Sequence, residues 1–145
     1  MRVVLQRVDH ASCTVDGKIT GKIEKGYMLL VGFTNGDDHT KVQKAAKKIA
    51  GLRIFEDENH KMNLNLETVK GSILSISQFT LYANTNEGNR PSFVDALNPT
   101  EAIKLYDLFN KELRKYGFVV EEGIFGAHMD IELLNSGPVT IIYEF

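Results

Sequence analysis

The stretch Gly26-Tyr27-Met28-Leu29-Leu30-Val31-Gly32-Phe33 holds the longest apolar run in the chain. Five successive apolar side chains with no polar alternation predict a central strand covered on both faces. At about seven residues the run falls far short of the roughly 20 that span a membrane. Upstream, Arg2 to Val8 predicts a strand with Val3, Leu5 and Val8 pointing inward. Cys13 to Val15 and Lys18 to Ile23 flank Asp16-Gly17, a pair that favours a tight type I′ turn because glycine accepts positive φ. A hairpin is expected there.

Downstream, Asp37 to Ala50 predicts a helix, acidic at its start and lysine-rich later, which suits the macrodipole. Val42, Ala45, Ala46 and Ile49 share one face, and Gly51 is the expected stop. Lys44, Lys47 and Lys48 predict a solvated face, with an RNA-facing patch as the alternative. Leu52 to Phe55 is a short strand candidate, and Gly71 to Leu81 a longer one. The acids and His60 of the Glu56 to Lys61 segment predict a solvated turn rather than a metal site, for lack of a second ligand cluster at familiar spacing. Tyr82 to Asn98 predicts a long loop of the kind that often carries function. Asn98-Pro99-Thr100-Glu101 is a helix start, with a cap, a first-position proline and a capping-box acid. Ile103, Tyr106, Phe109, Leu113 and Tyr116 continue that helix to Gly117. Phe118 to Val120, Met129 to Leu134 and Val139 to Tyr143 are the closing strands, the last two joined by Asn135-Ser136-Gly137-Pro138. Seven or eight strands with two helices between groups of them predict an α+β fold. The expected architecture is a mainly antiparallel, barrel-like curved sheet with two main helices packed outside.

At 145 residues, 43% hydrophobic and 25% charged, the chain has the composition of a single globular domain, residues 1–145. Its net charge of −2 excludes retention on nucleic acid by bulk charge and leaves only a local patch or a specific pocket for RNA. One cysteine, Cys13, excludes an intrachain disulfide and a multi-thiolate metal centre, and it predicts a small strand residue rather than a nucleophile. The N-terminal residues lack the apolar region of a signal peptide, so a cytoplasmic protein with no membrane segment is expected.

Searches for familiar catalytic patterns find no nucleophile elbow, phosphate loop, dinucleotide fingerprint or His-Glu-x-x-His helix. Of the four histidines His128 is the one expected nearest a site, but a surface or strand-edge position is the favoured reading. Ser75, Ser77 and Thr80 are hydroxyl candidates without a recognisable base partner. Two segments break local rules. Ser77-Gln78-Phe79-Thr80-Leu81 turns polar at the end of an apolar strand, and Gly137-Pro138 interrupts a strand-like region with a residue that cannot donate to a ladder.

These two segments resemble the signature motifs of the D-aminoacyl-tRNA deacylases of the DTD type. The likeness extends through Met1-Arg2-Val3-Val4-Leu5-Gln6-Arg7-Val8, Asn89-Arg90-Pro91-Ser92-Phe93, Phe125-Gly126-Ala127-His128-Met129 and Gly137-Pro138-Val139-Thr140, and so through essentially the whole chain. Ser136 stands where the resemblance leads one to expect an acid. The resemblance implies a homodimer that hydrolyses the ester between a D-amino acid and the terminal adenosine of tRNA; no cofactor is expected, and no residue is assigned as a metal ligand. It implies a cis Gly137-Pro138 peptide that enters the partner subunit's site and screens chirality. It places Ser77, Gln78, Phe79 and Thr80 at the pocket floor, with Arg7 holding the Gly-Pro loop and Phe125 and Met129 on the adenosine side.

Physical chemistry accommodates that picture. H and side chain exchange places between enantiomers, and a rigid main-chain wedge excludes one of them better than a yielding side chain. Thousandfold rejection of the L form needs roughly 4 kcal/mol, within reach of steric overlap and lost hydrogen bonds. The ribose hydroxyl beside the ester can activate water or assist the leaving oxygen. The protein then needs only to orient the ester and to offer N–H groups near Phe79 and Thr80 to the oxyanion. Two other functions remain open at this stage: clearance chiefly of glycine mischarged on tRNA, and a non-catalytic dimeric module that binds nucleic acid or protein.

Overall fold

The computed structural model describes residues 1–86 and 88–145. Eight strands and two α-helices are present among them. In chain order these are β1 (Arg2–Val15), β2 (Lys18–Ile23), β3 (Gly26–Gly32), α1 (His39–Ala50), β4 (Arg53–Glu56), β5 (Met62–Asn65), β6 (Ser72–Ser77), α2 (Pro99–Lys115), β7 (Val120–Glu122) and β8 (Asp130–Glu144). A single 3-10 turn, Phe79–Tyr82, follows β6.

The long first strand organises the sheet. Along one edge β1 pairs antiparallel with β3 from Arg2 to Val8, then with β2 from Ala11 to Val15. Along its other edge it pairs antiparallel with β8 over almost its full length. β6 joins β3 in parallel, and β7 joins β6 in parallel. The order β2-β1-β3-β6-β7 thus curls until β2 faces β7, leaving a mostly antiparallel, nearly closed barrel. Gly21 sits at that closure. A Cβ there would lie 2.8 Å from the Glu122 carbonyl oxygen and 3.0 Å from Leu74 Cδ1, so only glycine lets the two edges approach. β4 and β5 form a separate hairpin.

The Gly26–Phe33 run is central, as its composition predicts. Tyr27, Leu29 and Val31 face the helices, in one core with Val42, Ala46 and Ile49 of α1 and Leu105, Phe109 and Leu113 of α2. Met28 faces the barrel interior, with Val8, Cys13, Ile23, Leu74 and Ile76. Each such side chain, fully buried, contributes about 1.5–3 kcal/mol, and β3 contributes to both cores at once. Cys13 is buried in the inner core. Asp16 (φ 49) and Gly17 (φ 75) form the two-residue turn between β1 and β2.

Several local expectations need correction. Arg2–Val8 and Cys13–Val15 are one continuous strand, because β8 pairs across the gap between them. The strand expected through Leu81 ends at Ser77, where the chain coils into the 3-10 turn. β5 was not foreseen, and β7 lies two residues beyond its expected start. In α2 the buried face is Ala102, Leu105, Tyr106, Phe109 and Leu113, whereas Ile103 and Tyr116 are exposed. Asp38 caps α1 by accepting from the Lys41 N–H, and Asn98 caps α2 by accepting from the Glu101 N–H. Asn135-Ser136-Gly137-Pro138 does not join two strands: β8 runs straight through it. Among the described residues, no helix is long and apolar enough to cross a membrane.

Candidate active site

Parallel pairing of β3 with β6 sets Val31 beside Ser77, so both strands end at the same level. The Gln78 N–H donates to the Val31 carbonyl at 2.8 Å, extending the ladder one residue before the chain turns. A cleft of about 560 Å³ opens off these carboxyl ends, the usual location of ligand sites at parallel strand pairs. Its floor is Ser77, Gln78 and Phe79, and its far wall carries Phe125, His128 and Met129. Phe93 from the long loop and Asn98 at the start of α2 complete the rim.

The 3-10 turn makes its first internal bond from the Leu81 N–H to the Gln78 carbonyl. The N–H groups of Phe79 and Thr80 lie ahead of that bond, where a helical turn leaves donors without an internal partner. Thr80 is not part of the cleft lining. Its hydroxyl accepts from the Gln78 side-chain amide. The Phe79 ring is exposed and meets Phe93 edge-on, with centroids 5.0 Å apart. Phe125 packs against Tyr106 with centroids 6.0 Å apart. The Tyr106 hydroxyl donates to the Ser75 carbonyl at 2.7 Å, and burial pushes its pKa up to about 12, so it stays protonated. A buried α2 side chain thereby braces both Phe125 and the strand that delivers Ser77. His128 stands at the rim, its side chain 91% exposed and its Nε2 3.3 Å from Asp130.

Arg7, Gly137 and Pro138 form a second grouping. Gln6 pairs with Thr140 and Val8 with Asn135, so four residues of β8 stand opposite Arg7 alone. This bulge projects Gly137 and Pro138 into solvent across a cis peptide bond. The buried Arg7 side chain holds it: Nε donates to the Ser136 carbonyl at 3.0 Å and Nη1 to the Ile54 carbonyl at 2.6 Å. Asn135 Oδ1 accepts from the Val139 N–H at 3.2 Å, and Asn135 Nδ2 donates to Thr140 Oγ1 at 3.0 Å. Ser136 enters these bonds through its carbonyl, so an acid at that position is not required for them. Gly137 has φ +127, and a Cβ there would lie 2.9 Å from Arg7 Nη2. Glycine is needed on both counts.

Of the site residues expected from sequence, Ser77, Gln78, Phe79, Phe125 and Met129 converge on the cleft, and Thr80 adjoins it. Gly137 and Pro138 do not line it within one protomer, where β8 reaches the cleft only as far as Ile131. Sequence reasoning missed the contributions of Asn98 and Ile131, and it took Phe93 only as part of a motif. A lone Phe in a polar loop was the available signal. Among the described residues, no cluster of His, Cys, Asp and Glu is arranged to hold a metal ion. The Asp57 carboxylate accepts from the N–H groups of Asn59 and Lys61, and chiefly the Lys61 bond lowers its pKa.

The family model for D-Tyr-tRNA(Tyr) deacylase matches residues 4–144. The chain is 59% identical to a D-aminoacyl-tRNA deacylase of Lactobacillus helveticus and 58% identical to that of Lactobacillus acidophilus, each match covering 99% of both chains. Among solved structures, the c-Myc DNA Unwinding Element Binding Protein superposes with a TM-score of 0.93 at 36% identity, covering 100% of this chain and 99% of that one. A match over nearly every residue, including both motif segments, establishes that the chain belongs to the D-Tyr-tRNA(Tyr) deacylase family.

Proposed function

We propose that this deacylase removes D-amino acids, and glycine, from tRNA as a homodimer whose Gly137-Pro138 bulge screens chirality in the partner subunit's cleft. Family membership makes the chain a hydrolase of the aminoacyl ester bond. The observation that carries the finer reading is the cleft itself, largely apolar, with Phe79 in its lining and the adjoining 3-10 turn leaving the Phe79 and Thr80 N–H groups ahead of its first internal bond.

In this reading the terminal adenosine lies against Phe125 and Met129, and the ester carbonyl faces the N–H groups of Phe79 and Thr80. Oriented backbone donors stabilise charge that develops in the transition state, worth about 2.7–4 kcal/mol for one donor. The neighbouring ribose hydroxyl activates water or assists the leaving oxygen, so no covalent intermediate forms. Exposed Lys44, Lys47, Lys48 and Arg90 supply a modest phosphate-facing surface on a chain of net charge −2.

The dimer rests on β8. Among the described residues β8 pairs only with β1; it extends over 15 residues and exposes Leu134 and Ile142. A long edge strand with unpaired backbone groups and two exposed apolar side chains invites pairing with another chain. A two-fold interface there offers each bulge to the other protomer.

Incubation of the purified protein with D-tyrosyl-tRNA tests the reading. Free D-tyrosine should appear catalytically, no acyl group should be trapped on Thr80, and sedimentation should give a dimer. An acyl-Thr80 adduct refutes RNA-assisted catalysis, and a monomer with full enantioselectivity refutes the cross-subunit screen. A second reading, a nucleic-acid-binding module without turnover, draws on the printed name of the 36%-identical structural relative. It requires that D-tyrosyl-tRNA stay intact.

A further inference from the structure

A second cavity, about 240 Å³, opens at the other end of the Phe79–Tyr82 turn. Arg2, Tyr82, Asn84, Thr85, Asn86 and Asp95 line it. Nothing in the hydrolysis described above uses it. Its walls are preorganised. The Arg2 guanidinium lies 4.9 Å over the Tyr82 ring and is held by the Glu144 carboxylate and the Leu81 carbonyl. Asn84 and Ser92 exchange backbone bonds of 2.8 and 2.9 Å, pinning the base of the loop. Asn84 Oδ1 accepts from the Asn86 N–H, which leaves the Asn84 amide NH2 to donate outward. Thr34 Oγ1 donates to the Asp95 carbonyl and fixes that residue's backbone.

A stacked guanidinium-aromatic pair, amide donors and one carboxylate acceptor form the donor set that reads an unpaired nucleobase. The carboxylate narrows the choice. Aspartate accepts from the exocyclic amino group of cytosine, whereas uracil turns a carbonyl oxygen toward the same place. The position relative to the first cavity matters equally. Residues three apart in a 3-10 turn eclipse one another with about 6 Å of rise between them. Phe79, at the ester end of the first cavity, and Tyr82, at the second, therefore stand on one edge, one turn apart, so the strand that leaves the adenosine's ribose passes from one to the other.

We propose that the Arg2-Tyr82-Asn84-Asp95 cavity is a second nucleotide subsite that takes the cytidine preceding the terminal adenosine of tRNA. This rests on the reading that the first cavity takes that adenosine. The enzyme then reads two bases of the single-stranded 3′ end, with Arg2 and Asp95 holding the second.

The test uses the intact protein with adenosine and the dinucleotides CpA and UpA, each uncharged for calorimetry and each esterified with D-tyrosine for kinetics. CpA should bind about tenfold more tightly than either adenosine or UpA, the scale of one good base contact, and kcat/KM should rank the esters alike. Asp95→Asn carries an amide that can donate to the uracil oxygen. It should erase the preference for CpA over UpA while leaving hydrolysis of the adenosine ester as in the wild type. Equal affinity for CpA, UpA and adenosine overturns the subsite whether or not any ester is cleaved. Selective CpA binding that Asp95→Asn abolishes supports it even if no ester is cleaved, and in that case the hydrolytic reading alone falls.

Discussion

Replacing Arg7 with methionine separates the support of the Gly137-Pro138 bulge from the chemistry of the cleft. Arg7 is 8% exposed and binds two carbonyls, Ser136 and Ile54, from elements that no other described side chain ties together in this way. Methionine keeps most of the apolar stem and removes both bonds. Hydrogen bonds from a charged donor contribute about 1.5–3 kcal/mol each. Ser136 is half-buried, so the lower end applies, and the loss should be about 3 kcal/mol. For a chain of this size that lowers Tm by roughly 10 °C. Arg7→Lys keeps the charge but cannot fork to both carbonyls, so it should fall between methionine and wild type. The functional effect is read from kcat/KM for D- and L-tyrosyl-tRNA at a temperature where each variant is fully folded. If the bulge screens chirality as proposed, loosening it by 1.4 kcal/mol of steric exclusion should admit the L ester about tenfold more readily, while D hydrolysis, assigned above to the Phe79-Thr80 turn, should stay within a few-fold. An unchanged enantiomer ratio in folded Arg7→Met would refute the view that Arg7 sustains chiral selection through Ser136.

Three further outcomes are expected. His128→Gln should keep kcat within about threefold, since its 91%-exposed side chain faces Asp130 at the rim; a hundredfold fall, the scale of losing a general base, assigns it to proton transfer. Tyr106→Phe should lose about 1 kcal/mol at pH 8 with the bond to Ser75. Tyr106 ionises near pH 10 when unfolded and about 12 when folded, so its stabilising effect is complete below pH 10 and fades between pH 10 and 12. The variant's stability should therefore decline less steeply than that of the wild type over that interval in urea titrations, with the other buried tyrosines retaining the rest of the slope. Gly21→Ala should lower stability by about 1–3 kcal/mol, the usual cost of overpacking, because its Cβ meets the Glu122 carbonyl at 2.8 Å; an unaltered denaturation midpoint means that the barrel closes less tightly than described.

The apolar segments were legible because burial writes itself into composition. The Gly26–Phe33 run lies between two cores, and the Asp16-Gly17 turn carries both positive φ values. What escaped reading depended on distant partners. Met62-Asn63-Leu64-Asn65 becomes a strand only by pairing with β4, and its own alternation is weak. Proline at 138 argued for a break in the chain, yet the strand passes through because four residues bulge opposite Arg7 and release Pro138 from the ladder. In α2 the large side chain of Ile103 drew attention away from Ala102, which is small enough to sit at the cleft and the core. The cleft floor was recognisable from the Ser77–Thr80 motif. The loop contributions of Phe93 and Asn98 required the fold, and the support that Arg7 gives Ser136 came from family resemblance alone, since nothing in the local sequence joins residues 129 positions apart.

The account stands on selection by handedness, and hydrolysis of matched D- and L-tyrosyl-tRNA by the wild-type protein measures it most directly. D-tyrosyl-tRNA should be cleaved with a kcat/KM at least a thousandfold higher than the L form, corresponding to about 4 kcal/mol of discrimination. Equal cleavage of both would leave the Gly137-Pro138 bulge without its proposed role.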